Sequence, residues 1–200
     1  MSLGIPLLMC TLAFGPPTPP GERTPSRERA RIADTIDYHV RATDPLLLAG
    51  ITNGGAESAT LKSLIDELVA SDIIVHVVMV DRLAGGVNGQ LSFVTATATA
   101  RYLRIEVTRV GGRADMIALL AHELQHAVEV AHSPNVRNAE SLAGFYLRVG
   151  ENMKDWRHYD SMAARVTEDI VRREVLGHHS VPDDELQLMA QLRRQDRSFR

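Results

Sequence analysis

The stretch over residues 114–132 is rich in apolar and small residues, and at its centre stands His122-Glu123-Leu124-Gln125-His126. Ile117, Leu119, Leu120, Ala121, Ala127, Val128 and Val130 flank these five residues, the pattern of a helix buried over most of its surface. Pro134 sets its end, because the residue before a proline is pushed out of the α region. Two imidazoles and a carboxylate on such a helix need partners, since burying unpaired polar groups is costly. Four residues advance a helix by about 400° and roughly 6 Å, so His122 and His126 leave one face a turn apart. Nitrogens placed this way can both lie about 2.0–2.1 Å from one zinc ion. Glu123, about 100° round from His122, can take a proton from water that the metal makes acidic.

The surroundings predict α+β organisation. A helix over 58–70 carries Leu61, Leu64, Ile65, Leu68 and Val69 on one face, with Ser58 as N-cap. The β-branched run 73–80 reads as a strand, as do 91–99 and 102–107, with Gly85-Gly86, Asn88 and Gly89 in the loop between the first two. Arg101, Arg104 and Arg109 around the third strand fit a solvated face. Helices follow over 139–149 and 160–175, the latter stopped by Gly177, and a last one begins at Pro182 with Ser180 as its cap. Ahead of the sheet, 27–41 reads as a short amphipathic helix, and Asp44-Pro45 and Asn53-Gly54-Gly55 mark turns.

His-Glu-Leu-Gln-His preceded by Ala-Leu-Leu-Ala resembles the active-site helix of the zincin metallopeptidases, and the likeness extends over roughly residues 58–175. The resemblance implies a zincin-like α+β domain in which a small sheet of three or more strands packs on the long active-site helix, with further helices after it. It also implies zinc held by His122 and His126, Glu123 as general base, and hydrolysis of a peptide substrate aligned on an edge strand. That substrate strand is expected at 91–99 or 102–107. A catalytically inactive zincin-like domain, binding metal or a protein, is the alternative.

A catalytic zinc takes a third protein ligand, and three residues compete. Asp160 in Tyr159-Asp160-Ser161-Met162-Ala163-Ala164 is favoured. It resembles the gluzincin arrangement, in which a glutamate on a later helix is followed by small residues. Aspartate is shorter by one methylene, a gap that Ala163 and Ala164 permit the helices to close. Glu140 ranks second, although an acid in a first helical turn also suits the helix dipole. His132 has the metzincin spacing, but Glu129 stands where that family has its turning glycine. Tyr146, His158 and Tyr159 are candidates for stabilising an oxyanion, with Tyr146 read as ordinary core beside Phe145. The His178-His179 pair reads as loop, and Trp156 as packing over a helix end.

Composition bounds the rest. A formal charge of −3 argues against a general nucleic-acid binder. No apolar run is long enough for a transmembrane helix. The single cysteine, Cys10, excludes an intrachain disulfide and a cysteine-based zinc site. Residues 1–25 divide into an apolar leader, Leu3 to Phe14, and a proline-rich linker, leaving 26–200 as a single domain. The leader ends in Ala13-Phe14-Gly15 and predicts export to a periplasmic or extracellular space. It lacks a basic start and has Pro16 after the cleavage position, an atypical signal, and without it the chain is cytoplasmic. For a peptidase, the small size predicts a narrow or exposed cleft, under the control of a regulatory protein partner.

Overall fold

The fold is described from a computed structural model, which covers residues 39–149, 151–152, 159–177, 187–188 and 191. The leader, the linker, His158, Trp156, His178 and His179 lie outside those residues, as does the last helix apart from 187, 188 and 191, which are helical.

Among the described residues the elements run β1 (Val40–Ala42), α1 (Pro45–Glu57), α2 (Ala59–Val69), β2 (Ile73–Val80), β3 (Gly89–Ala96), β4 (Arg101–Thr108), α3 (Arg113–Ala131), α4 (Ala139–Val149), β5 (Glu151–Asn152), β6 (Tyr159–Asp160) and α5 (Met162–Val175). The architecture is α+β, with a small mixed four-stranded sheet and, among the elements named above, five helices. The sheet order is β1-β2-β4-β3, with β1, β2 and β4 parallel and β3 antiparallel at one edge. Among the described residues no helix is long and apolar enough to cross a membrane.

The sheet is buried on one face. Ile73, Val75 and Val77 of β2 and Leu103, Ile105 and Val107 of β4 are fully buried, whereas His76 and Arg104 on the other face are exposed. The buried face receives the helices, and α3 packs on β2, β3 and β4 with α5 against it. Leu120, Leu124, Ala127 and Val128 of α3 join Val75, Val77 and Ile105 in one core. Aromatic residues make up 4% of the chain, and this core is mostly aliphatic.

Several local expectations change in the fold. Val40 and Arg41, expected at the end of a helix, form β1, where Val40 pairs with Val75; the remainder of 27–38 lies outside the described residues. Asp44-Pro45 marks a helix start, since the Asp44 carboxylate accepts from the amides of Leu46 and Leu47 at 2.8 and 3.2 Å and Pro45 occupies the first turn. Asn53-Gly54-Gly55 lies inside α1. Gly54 is there for contact, because a Cβ would fall 2.6 Å from Ile117 Cγ2 and 2.9 Å from Leu61 Cδ2. The helix crossing overrides the local turn signal. The break comes at Ser58, whose hydroxyl caps α2 by accepting from Leu61 N at 3.0 Å and donates to Glu174 of α5.

Arg101 is the larger correction. It is 1% exposed, with the same strand parity as Leu103 and Ile105. Its guanidinium donates to the carbonyls of Val130, Ala131, Ser133 and Val136 at 2.8, 3.3, 2.8 and 3.2 Å, where α3 ends. A fork to both Asp72 oxygens, at 2.8 and 2.6 Å, completes its bonds. β4 is also an interior strand, paired on both sides, so it cannot receive an added strand; of the two expected strands, β3 lies at an edge of the sheet among the described residues.

Candidate metal centre

α3 begins with the Asp115 carboxylate accepting from Gly112 N at 3.0 Å, which satisfies a free amide of the first turn. The helix then buries Ile117, Ala118, Leu120 and Ala121 before reaching the polar residues of its middle. His122 and His126 project side by side, with ring centroids 5.0 Å apart. Glu123 is 4% exposed and His126 5%, while the His122 side chain keeps 14%.

Asp160 arrives from outside the helix. It stands at the end of β6, paired with Glu151 of β5, and not within the following helix as the sequence reading had it. Ser161 is the N-cap of α5, accepting from Ala164 N at 3.0 Å. Ala163 and Ala164 are buried, and α5 packs against α3. Asp160 Oδ1 then faces His122 Nε2 at 3.3 Å and His126 Nε2 at 3.8 Å. One ligand atom from each of the three residues lies within 4.8 Å of the others. Asp160 Oδ2 turns away to Arg165 Nε at 2.7 Å.

The far nitrogen of each imidazole meets a carboxylate. His122 Nδ1 lies 3.0 Å from Glu168 Oε2, and His126 Nδ1 lies 2.9 Å from Glu129 Oε2. Neutral rings that donate from Nδ1 present their Nε2 lone pairs to the point Asp160 faces, the usual support of a metal-ligating histidine. Arg172 holds Glu168 from behind at 2.5 Å. Tyr146 donates to Glu129 Oε2 at 3.2 Å and to the His126 carbonyl at 3.3 Å, with its ring edge-on to His126.

The electrostatics favour a cation. Burial alone would lower the His122 pKa, but the facing Asp160 and Glu168 carboxylates and the nearby Glu123 charge raise it to about 10. Burial opposes the charge on His126 too, and Glu129 and Glu123 again win and raise it. Asp160 is pulled down to about 2 against its burial by His122 and Arg165. Burial pushes Glu123 up, with the two histidines pulling the other way. Glu123 Oε2 and Asp160 Oδ1 are buried and meet hydrogen-bond geometry with no group among the described residues. Two imidazoles, an oxygen of Asp160 and this surplus of negative charge fit zinc, whose ligands are drawn from His nitrogen and carboxylate oxygen.

Of the competing ligands, Glu140 is exposed on the first turn of α4, and neither it nor His132 belongs to the cluster. His132 closes α3 as its C-cap, with Nε2 3.8 Å from Glu67 Oε1. Tyr146 sits behind His126, bonded to Glu129. Glu129 and Glu168 were missed by the sequence reading. Their signal was indirect: Glu129 follows His126 by three residues on the same helical face, and Glu168 stands four before Arg172.

No family model, curated protein or solved structure matches the chain.

Proposed function

We propose that the protein is a zinc-dependent metallohydrolase of zincin type that cleaves peptide bonds. The observation that carries the reading is the convergence of His122, His126 and Asp160 within 4.8 Å, with Glu123 buried beside them. His122, His126 and Asp160 would hold the metal. Bound there, zinc supplies Lewis acidity, which makes water acidic near neutral pH and polarises a carbonyl oxygen.

Glu123 is the general base in this reading. Its buried carboxylate, raised by desolvation, accepts a proton from the attacking water and delivers it to the departing amine. Glu129 and Glu168 hold the two imidazoles in the tautomer that leaves Nε2 free for the metal. The edge position of β3 suits an extended peptide, which would add as a strand through main-chain hydrogen bonds. β3 begins at Gly89, beside the base, and a Cβ on Gly89 would lie 2.1 Å from Glu123 Oε1. Gly89→Ala therefore displaces the carboxylate. Zinc affinity should stay within about twofold, while hydrolysis falls on the order of 100-fold, the cost of a misplaced catalytic group. Parallel zinc titration and peptidase assays check this, and equal loss of both would refute it.

The proposal is tested by incubating zinc-loaded protein with an unfolded protein substrate and mapping new termini by mass spectrometry. Cleavage that stops with a chelator and returns with zinc supports a peptidase. Zinc retention without cleavage would replace it with a metal-binding module.

A further inference from the structure

We propose that Glu129 is a positioning residue that couples the second metal ligand to the third. The inference rests on the zinc-site reading above and adds to it a link between residues distant in the chain. Glu129 is 2% exposed, and a carboxylate so buried is retained at a cost unless its oxygens are bonded. Its partners come from α3, from α4 and from the N-cap of α5. Oε2 takes His126 Nδ1 at 2.9 Å within α3 and the Tyr146 hydroxyl at 3.2 Å from α4. Oε1 takes the Ser161 hydroxyl at 2.5 Å. Ser161 caps α5 and directly follows Asp160, so its position fixes where the Asp160 carboxylate enters the site.

One side chain thus sets two things. From Oε2 it fixes the tautomer and tilt of His126, the job of a carboxylate behind a ligating histidine. From Oε1 it anchors the turn that presents Asp160, 3.8 Å from the same ring's Nε2. Glu168 does only the first of these for His122. If Glu129 loses its charge, the amide of a glutamine there can donate to Nδ1, which moves the ring proton to Nε2 and removes a ligand lone pair. The grip on Ser161 weakens at the same time.

The test is zinc affinity, measured by chelator competition, together with the absorption spectrum of the cobalt(II) form. Both are taken on the wild type, Glu129→Gln, Ser161→Gly and the double variant. Glycine is tolerated at an N-cap, so the start of α5 survives while the link is cut. Glu129→Gln should weaken zinc roughly 10- to 100-fold with an altered cobalt spectrum. Ser161→Gly should weaken it less, and the double variant should bind no more weakly than Glu129→Gln alone, as residues sharing one path do. Unchanged affinity in Glu129→Gln, or losses that multiply in the double variant, would overturn the coupling while leaving the zinc site standing. If Glu129→Gln fails to fold, Ser161→Gly decides alone: an unchanged zinc affinity and cobalt spectrum would overturn it. A wild type that binds no zinc would remove the underlying reading, and the coupling with it.

Discussion

Glu123→Gln should bind zinc as the wild type does and hydrolyse peptides about 10²- to 10⁴-fold more slowly, the usual contribution of a positioned general base. The two halves of this result come from the geometry. The converging ligand atoms that could hold a metal belong to His122, His126 and Asp160, and Glu123 is not among them. Glutamine has the shape of glutamate and fits the same 4%-exposed slot beneath Gly89. What it lacks is a basic oxygen. Among the described residues the Oε2 of Glu123 has no hydrogen-bond partner to hold it elsewhere. Steady-state kinetics on zinc-loaded protein, with bound metal quantified in the same samples, checks both halves. Activity within a few-fold of wild type would remove Glu123 from the chemistry.

Arg101→Met should destabilise the fold by roughly 2–4 kcal/mol, since a buried acceptor that loses its donor costs about 1–3 kcal/mol. Methionine retains much of the apolar stem, so the loss isolates the guanidinium. That group donates to the carbonyls of Val130 and Val136, both in buried contacts, at the end of the helix that carries His122 and His126. Arg104→Met on the same strand is the control. Arg104 is 46% exposed and pairs with Glu106 at the surface, so its loss should stay within about 0.5 kcal/mol. Denaturant unfolding of the two variants and the wild type measures the difference, and equal midpoints for both would refute the buried role. The Asp72 partner adds a pH dependence. Its pKa is lowered in the fold, chiefly by the hydrogen bond from Arg101. A depressed carboxylate stabilises the fold above its unfolded value, near 3.8, and that share is lost as the pH falls through the folded value. Arg101→Met should therefore lose less stability on acidification than the wild type.

The elements that could be read from the sequence are those whose signal is local. β2 at Ile73–Val80 is a β-branched run, α4 at Ala139–Val149 has a helical period, and α3 is fixed by its apolar flanks and by Pro134. The misread positions depend on distant partners. Gly54 resembles a turn until Ile117 is brought against it, and Arg101 resembles a surface charge until the end of α3 supplies its acceptors. Main-chain carbonyls are the same at every residue, so no sequence pattern announces them. The parity of Arg101 with Leu103 and Ile105 was the available clue, outweighed by its charge.

The site divides in the same way. His122, Glu123 and His126 lie within one helical turn, so their spacing alone brings them together. Asp160 is separated from them by α4 and a hairpin, and sequence could rank it above Glu140 and His132 only on side-chain type and the two alanines that follow. Glu129 was weighed only as the absence of a turning glycine, yet it bonds His126 directly. Second-layer residues need no fixed spacing from the ligands they orient, and that is why Glu168 stays invisible until α5 is packed on α3.

The most direct test is metal content by plasma mass spectrometry on the purified wild type, His126→Ala and Asp160→Ala. The account predicts about one zinc per chain in the wild type, as a single three-ligand site requires, and loss of it in both variants. A wild type without zinc after reconstitution would contradict the account at its centre; zinc retained by Asp160→Ala would contradict its third ligand.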